Sequence, residues 1–346
     1  MRRWLCLLLA CAALLALCAC GEAEEDAPWA VSLWYVAGDP LAGALCAAAE
    51  AYNASRKDGA LPVRPREFET EAQLLAGLNT AAPDLLLCPH TLAFSLDERG
   101  LLTAAGEPVA YPEALSARSE AIGRGLLPLG SRVQLLLSDE PDAPTKLSQL
   151  CETAARYGSE TRRAYLRVDS FTDLICQAVL GSGEFHADRT KDCFNAAFRE
   201  AWNALAEAAF CGGLTSGAGA TPAAIVWADS LTDGVSEGRT LRALDFGKAP
   251  LLGDLRCLAV MAREGRQARG TAGFLSWLFS GSRASQLALD AGLIPALPGA
   301  EARDARAELL LALREQPLWL PDGGSDYIQN RASFEKDFRA LLDLLK

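Results

Sequence analysis

Between Trp29 and Cys88 three short apolar runs alternate with two stretches of helical period, and this alternation constrains the fold more than any other feature of the chain. WAVSLWY, from Trp29 to Tyr35, alternates like a strand and is broken by Gly38-Asp39-Pro40. Leu41, Leu45, Ala48, Ala49 and Tyr52 then recur at helical spacing, with Pro40 at the helix start. Leu61 to Phe68 is strand-like, and Thr70 with Gln73 has the form of a capping box opening a helix that carries Leu74, Leu75 and Leu78. Pro83-Asp84 leads into LLLC, the continuous apolar run of a buried parallel strand. A βαβαβ opening predicts a doubly wound α/β domain, in which ligands sit beyond the carboxyl ends of the strands. Those ends are Trp34 to Asp39, Glu67 to Thr70, and Cys88-Pro89-His90.

A second α/β series follows. SRVQLLLS, from Ser131 to Ser138, reads as a strand, then a helix from Thr145, a strand AYLRV at 164–168, and a helix after Asp169-Ser170. Phe194, Phe198, Trp202 and Leu205 mark one side of a long amphipathic helix, which GGLTSGAGATP ends. AAIVW at 223–227 and RCLAVMA at 256–262 are further strands, and helices dominate from Gly270 to an amphipathic closing helix at Ser333 to Leu345. More than 300 residues remain beyond the first nineteen, enough for two domains or one large one.

Those first nineteen are a leader. Arg2 and Arg3 precede an apolar run from Trp4 to Ala19, and polarity returns with GEAEED, which describes a secretory signal peptide. The run is shorter than the ~20 residues that comfortably span a bilayer. Leu17-Cys18-Ala19-Cys20-Gly21 resembles the lipobox of bacterial lipoproteins, with an aliphatic residue at −3 and a small one at −1; Cys18 at −2 departs from the commoner Ala, Ser or Thr. The resemblance implies cleavage before Cys20, a lipid (diacylglyceryl, palmitate-type) on its sulfur, an acidic tether over 20–28, and a chain held on the outer, extracellular or periplasmic, side of the cell membrane. Two acyl chains anchor stably where one is marginal.

Losing residues 1–19 takes Arg2 and Arg3 with it, so a net charge of −11 becomes −13. That sign and the lack of any Lys/Arg cluster exclude a nucleic-acid partner. Seven cysteines follow Cys20, scattered and without a CxxC, and read as buried free thiols rather than a disulfide framework. Two histidines without nearby partners give no zinc site, so no metal is expected. GxSxG, HExxH and GxxxxGK[ST] are all missing, and GSGEFH at 181–186 lacks the third glycine of a dinucleotide fingerprint. The expectation is a protein that is not an enzyme, with no catalytic residues and no cofactor; a secreted hydrolase with a carboxylate pair is the alternative that sequence leaves open.

Several segments, taken in order, resemble the extracellular solute-binding proteins of family 1, the substrate receptors of ABC importers. They are VSLWYVAGDP, APDLLLCPHTLAFSLDERGLL, GRGLLPLGSRVQLLLSDEPDAPTKLSQL, AAIVWADS, LRCLAVMA and FLSWLFSGSRASQLALDAGLIPA, and they run across nearly the whole mature chain. Each is weak alone; their order behind a lipobox is specific. The resemblance implies a two-lobe periplasmic-binding-protein-like α/β fold of type II, each lobe a mixed sheet flanked by helices and joined by hinge strands. Lobe one would take 29–134 and 253–298, and lobe two 135–252 and 299–346. It further implies a monomer that captures a small polar solute, a carbohydrate first among the classes, for a permease and ATPase in separate chains. A surface lipoprotein using the fold as sensor or structural partner is the alternative.

A sugar-like ligand needs aromatic faces beside carboxylates or amides. Trp34, Tyr35 and Asp39 end the first strand, and since neighbours on a strand face opposite ways, one of the two aromatics belongs to the core. Trp227 and Asp229 end a later strand, with core and turn roles as the plainer alternative. His90 follows a buried strand and reads equally as a ligand contact or a histidine bonded to backbone. Ser131, with Arg132, lies at the expected crossover. Asp169 reads as ligand contact or, together with Ser170, as a helix cap. Asp254 and Arg256 precede the return strand, either as an internal ion pair or with Arg256 clamping an anionic group.

Overall fold

The computed structural model describes residues 29–104, 106–116, 119–182, 196–217, 219–231, 238–247, 249–261, 265–321 and 326–344. The leader, Cys20, the tether and Phe194 lie outside them.

Two mixed sheets organise the chain. In the first, β1 (Val31–Val36) runs parallel to β2 (Val63–Phe68) and β3 (Leu85–Pro89), with α1 (Ala42–Ser55) and α2 (Glu71–Leu78) as the crossovers. After α3 (His90–Glu98) and a single turn, α4 (Glu113–Ser116), the chain enters β4 (Leu126–Arg132). β5 (Gln134–Ser138) follows after one residue, Val133, but belongs to the second sheet. The run SRVQLLLS is therefore not one strand. It is split between two sheets, because the chain passes from one to the other at Val133.

The second sheet continues through α5 (Leu147–Thr161), β6 (Leu166–Val168), α6 (Phe171–Gly181), α7 (Ala196–Phe210), β7 (Leu214–Thr215), β8 (Ala223–Trp227) and β9 (Thr240–Ala243). Its spatial order is β7-β6-β8-β5-β9. Short β10 (Leu251–Leu252) leads through Gly253 into β11 (Asp254–Val260), which returns to the first sheet antiparallel to both β3 and β4. α8 (Gly265–Leu278), α9 (Arg283–Asp290) and β12 (Ile294–Pro295) complete that sheet, whose order is β12-β4-β11-β3-β1-β2. The chain then crosses again: α10 (Ala305–Leu313) touches both β12 and β9, β13 (Leu318–Trp319) pairs with β10, and α11 (Asp326–Leu344) packs on α6.

Local chemistry explains these elements. Thr70 accepts a hydrogen bond from the Gln73 backbone N–H, and Gln73 Oε1 accepts one from the Glu69 N–H, a capping box closed one residue earlier than its usual form. Ser170 and Asp304 cap α6 and α10 in the same way. β3 and the part of β11 from Cys257 to Val260 are apolar on both faces because helices cover both sides of the first sheet. α11 is held to α6 by Phe338, fully buried and stacked on Phe171 with ring centroids 4.5 Å apart. Such a pair contributes about 0.5–1.5 kcal/mol beyond its buried area. Trp202 and Trp277 lie against the two main cores, as their helical stripes require.

The two sheets also meet where β12 begins. Gly292, with φ +79°, lies so close to the 3₁₀ turn after β8 that a Cβ there would sit 2.7 Å from the Ala228 carbonyl oxygen and Asp229 Cα. Any other residue at this position would meet backbone strain and a clash together.

Candidate functional site

A cavity of about 550 Å³ opens between the strand ends of the two sheets. On the first-sheet side are Glu71 at the start of α2, Pro89 ending β3, and His90 and Thr91 opening α3. On the second-sheet side are Asp169 and Ser170 after β6, Asp173 in α6, and Trp227 ending β8. Gly253, Asp254 and Arg256 of the return crossing form the floor, and Pro321 with Arg331, Ala332, Glu335 and Arg339 of α11 closes one side.

The floor is a chain of alternating charges. Arg256 lies 3.5 Å from Asp39 and 3.2 Å from Asp254, and Arg132 lies 3.9 Å from Asp254 and 2.9 Å from Asp229. The Arg132–Asp229 contact is forked, with Nε donating to both carboxylate oxygens at 3.2 Å, and it joins the end of β4 to the turn after β8. The Arg132 guanidinium stands 4.3 Å from the centroid of the Trp227 ring, so one face of the indole is already taken by a cation. Ser131 Oγ accepts from the Asp254 N–H at 3.1 Å and fixes the register of the two crossing strands.

Burial and neighbouring charge pull these groups in different directions. Burial pushes Asp254 up, but Arg256, Arg331 and Arg132 together outweigh it and hold the carboxyl below its ordinary value. At Asp39 burial wins over the Arg256 guanidinium, and its pKa is raised. His90 is buried and its pKa is lowered chiefly by desolvation. The neutral ring donates from Nε2 to the Pro321 carbonyl at 3.2 Å, since a carbonyl can only accept.

The α11 wall is built the same way. Glu335 accepts from the N–H groups of Phe171 and Thr172 at 2.9 and 3.0 Å, the free donors of the first turn of α6. Arg339 donates to Glu335 at 2.9 Å and to the Asp169 carbonyl at 2.7 Å, and Arg331 pairs with Asp173.

No protein-family model matches this chain. No curated protein matches it either. Solved structures do. A cyclic α-maltosyl-1,6-maltose binding protein from Arthrobacter globiformis superposes with a TM-score of 0.66 at 15% identity, over 92% of this chain and 95% of that one. An ABC substrate-binding protein of Listeria monocytogenes, solved in complex with cycloalternan, gives 0.65 at 13% identity over 91% and 94%. The GacH receptor of Streptomyces glaucescens, solved unliganded and with acarbose, gives 0.61 at 14% over 91% and 92%. The fold is that of the ABC-transporter substrate-binding proteins. It is a two-lobe α/β fold, and the similar structures are of binding proteins rather than enzymes.

Within this fold the sequence-selected residues separate into three groups. His90, Asp169, Trp227, Asp254 and Arg256 line the cavity. Asp39, Ser131 and Asp229 stand in the hydrogen-bonded and ion-paired layer attached to its floor. Trp34 and Tyr35 do neither, and both expectations are corrected. Trp34 is only 5% exposed, packs on Phe68 at 4.9 Å, and is roofed by Gly77 of α2, where a Cβ would come within 3.1 Å of the indole. Tyr35 faces the other side of β1, against the core under α1, where the neighbouring Cys46, burial and Glu67 raise its pKa. β1 is an inner strand with helices on both faces, so neither side chain reaches the gap.

Sequence reasoning missed Glu71, Asp173, Arg331, Glu335 and Arg339. For three of them a signal was present: Arg331, Glu335 and Arg339 are spaced i, i+4, i+8, one polar stripe on the closing helix. Among the described residues no cluster of metal-ligating side chains occurs, and no helix is long and apolar enough to cross a membrane.

Proposed function

We propose that this chain is the solute-binding receptor of an ABC importer, lipid-anchored through Cys20 outside the cell membrane and acting as a monomer. Its permease and ATPase partners are separate chains, and it performs no chemistry itself. Lobe one comprises 29–134 and 253–298 and lobe two 135–252 and 299–346, hinged at the crossings near Val133 and Gly253. A solute with contacts on both lobes favours the closed state by its differential affinity.

The observation that carries this reading is the 550 Å³ cavity whose walls come from both sheets, within the size range of small-molecule sites. Carbohydrate is the first class to test. Trp227 beside Asp169 offers an aromatic surface next to a hydroxyl acceptor, and the similar structures include proteins named for or solved with oligosaccharides. One observation favours the second reading, a lipoprotein that kept the fold as a sensor or structural partner. Each arginine of the cavity already holds a carboxylate of its own chain, which leaves the site self-neutralised.

A thermal-shift screen of the chain from residue 22 separates the two, using sugars, oligosaccharides, amino acids, polyamines and organic anions. A ligand at one hundred times its Kd stabilises the native state by about 2.7 kcal/mol, a clear shift. Silence across the panel from a cooperatively melting protein supports the second reading.

A further inference from the structure

The fold sorts the cysteines that the sequence left scattered. Cys46, Cys151 and Cys176 lie on three different helices, Cys211 follows α7, and Cys193 lies outside the described residues. Cys88 and Cys257 are different. They are direct partners in the antiparallel ladder of β3 and β11, flanked by Leu87↔Leu258 and Pro89↔Arg256. Directly opposed residues of an antiparallel pair point to the same face of the sheet, and both thiols fall in the same core cluster, 2% and 0% exposed. Such partners have Cα atoms about 4.5–5.5 Å apart. A disulfide bridges Cα atoms about 4.4–6.8 Å apart, so the ladder already supplies the required backbone separation. On its other edge β11 carries an irregularity against β4 between Arg256 and Cys257, a feature that increases local twist.

We propose that Cys88 and Cys257 are a cross-strand pair, held here as the dithiol and closed to a disulfide by thiol–disulfide exchange when the chain folds under oxidising conditions. The oxidant is a small-molecule or protein disulfide. One cysteine thiolate attacks it, forms a mixed disulfide and expels the first thiolate. The second cysteine thiolate then attacks the mixed disulfide at the protein sulfur, forms the Cys88–Cys257 bond and expels the other. Two electrons pass from the cysteine pair to the oxidant, and the two protons lost by the cysteines end on its two thiols. In the folded protein burial pushes both thiols far above their ordinary pKa and slows exchange there, so closure belongs to folding, once β3 and β11 have paired and before packing buries the two thiols. The bond would tie together the two strand ends that deliver His90 and Arg256 to the cavity. This inference does not depend on which solute the cavity takes.

The test counts thiols. The chain from residue 22, which contains seven cysteines, is refolded once in dithiothreitol and once in a mixture of oxidised and reduced glutathione. Each sample is shown to melt cooperatively, then quenched in acid, unfolded, alkylated with N-ethylmaleimide and weighed intact. The expected result is seven adducts from the reduced sample and five from the oxidised one. Non-reducing peptide mapping should join the Cys88 and Cys257 peptides, and the oxidised form should melt at the higher temperature. Cys88→Ala should give six adducts under both conditions. Seven adducts from the oxidised, folded wild type would overturn the proposal, as would five adducts with the bond between other cysteines. The wild-type count decides the matter even if Cys88→Ala does not fold.

Discussion

Two tryptophans lie late in apolar strands of this molecule, Trp34 two residues before the end of β1 and Trp227 as the last residue of β8, and the structure treats them in opposite ways. Trp34 closes off under Gly77 and Phe68 within the first core, while Trp227 borders the cavity with Arg132 against its ring. The difference does not lie in residue types nearby, since both follow a mostly aliphatic stretch and precede an acidic residue, Asp39 five positions on and Asp229 two. It lies in what surrounds each end. β1 is covered by helices on both faces, whereas β8 ends where the chain passes into a 3₁₀ turn facing the other sheet. An aromatic late in a strand borders a cavity only where the next layer of structure is missing.

The comparison can be broken most forcefully at Trp34. Trp34→Ala should lower stability by about 3–5 kcal/mol, the cost of truncating a fully buried aromatic, measured by urea unfolding. A loss under about 1 kcal/mol would mean that the first-lobe end is as open as the second. Next comes the ion pair behind Trp227. Asp229→Ala strips Arg132 of its forked partner and should cost about 1.5–3 kcal/mol, reduced toward the lower figure because Arg132 is 20% exposed. Trp227→Ala itself should cost only about 1–2 kcal/mol, because the ring is only partly buried and loses mainly its contact with Arg132. Its larger effect should be on solute affinity.

The smallest expected effect is a pH slope. Burial lowers the His90 pKa below the unfolded value of 6.5, so between the two values the unfolded chain holds a proton that the folded chain does not. The stability from neutral His90 is therefore complete above 6.5 and is lost as pH falls toward its folded pKa. Wild-type unfolding free energy should decline from about pH 7.5 to 5.5, and His90→Gln should flatten that decline. Equal slopes in the two proteins would remove His90 from the account. Asp254 has the same sign at lower pH, below its ordinary 3.8, and Asp39, with its raised pKa, has the opposite one.

Much of the architecture was legible because its signals are local. The strand AAIVW has the bounds of β8, the capping residue Thr70 starts α2, and Ser170 caps α6. The crossover at Ser131-Arg132 stands where the chain leaves the first sheet. The site was legible only in part, because its members meet across long sequence separations. Asp229 was recognisable as a carboxylate near the gap, but its partner Arg132 is 97 positions away. Arg331, Glu335 and Arg339 face the cavity only because α11 docks on α6, about 160 residues earlier, through Phe338 on Phe171. The tail's amphipathic pattern predicts a helix and a buried face; it carries no information about which helix receives it.

The central claim is that solute binds at the Trp227 end of the molecule and not at the Trp34 end. The most direct test is calorimetric titration of the strongest solute from the thermal screen into wild type, Trp227→Ala and Trp34→Phe. At least a tenfold loss of affinity is predicted for Trp227→Ala, equivalent to about 1.4 kcal/mol, with Trp34→Phe within twofold of wild type. Unchanged affinity in Trp227→Ala would contradict the account, and so would a folded wild type that binds no solute of the panel.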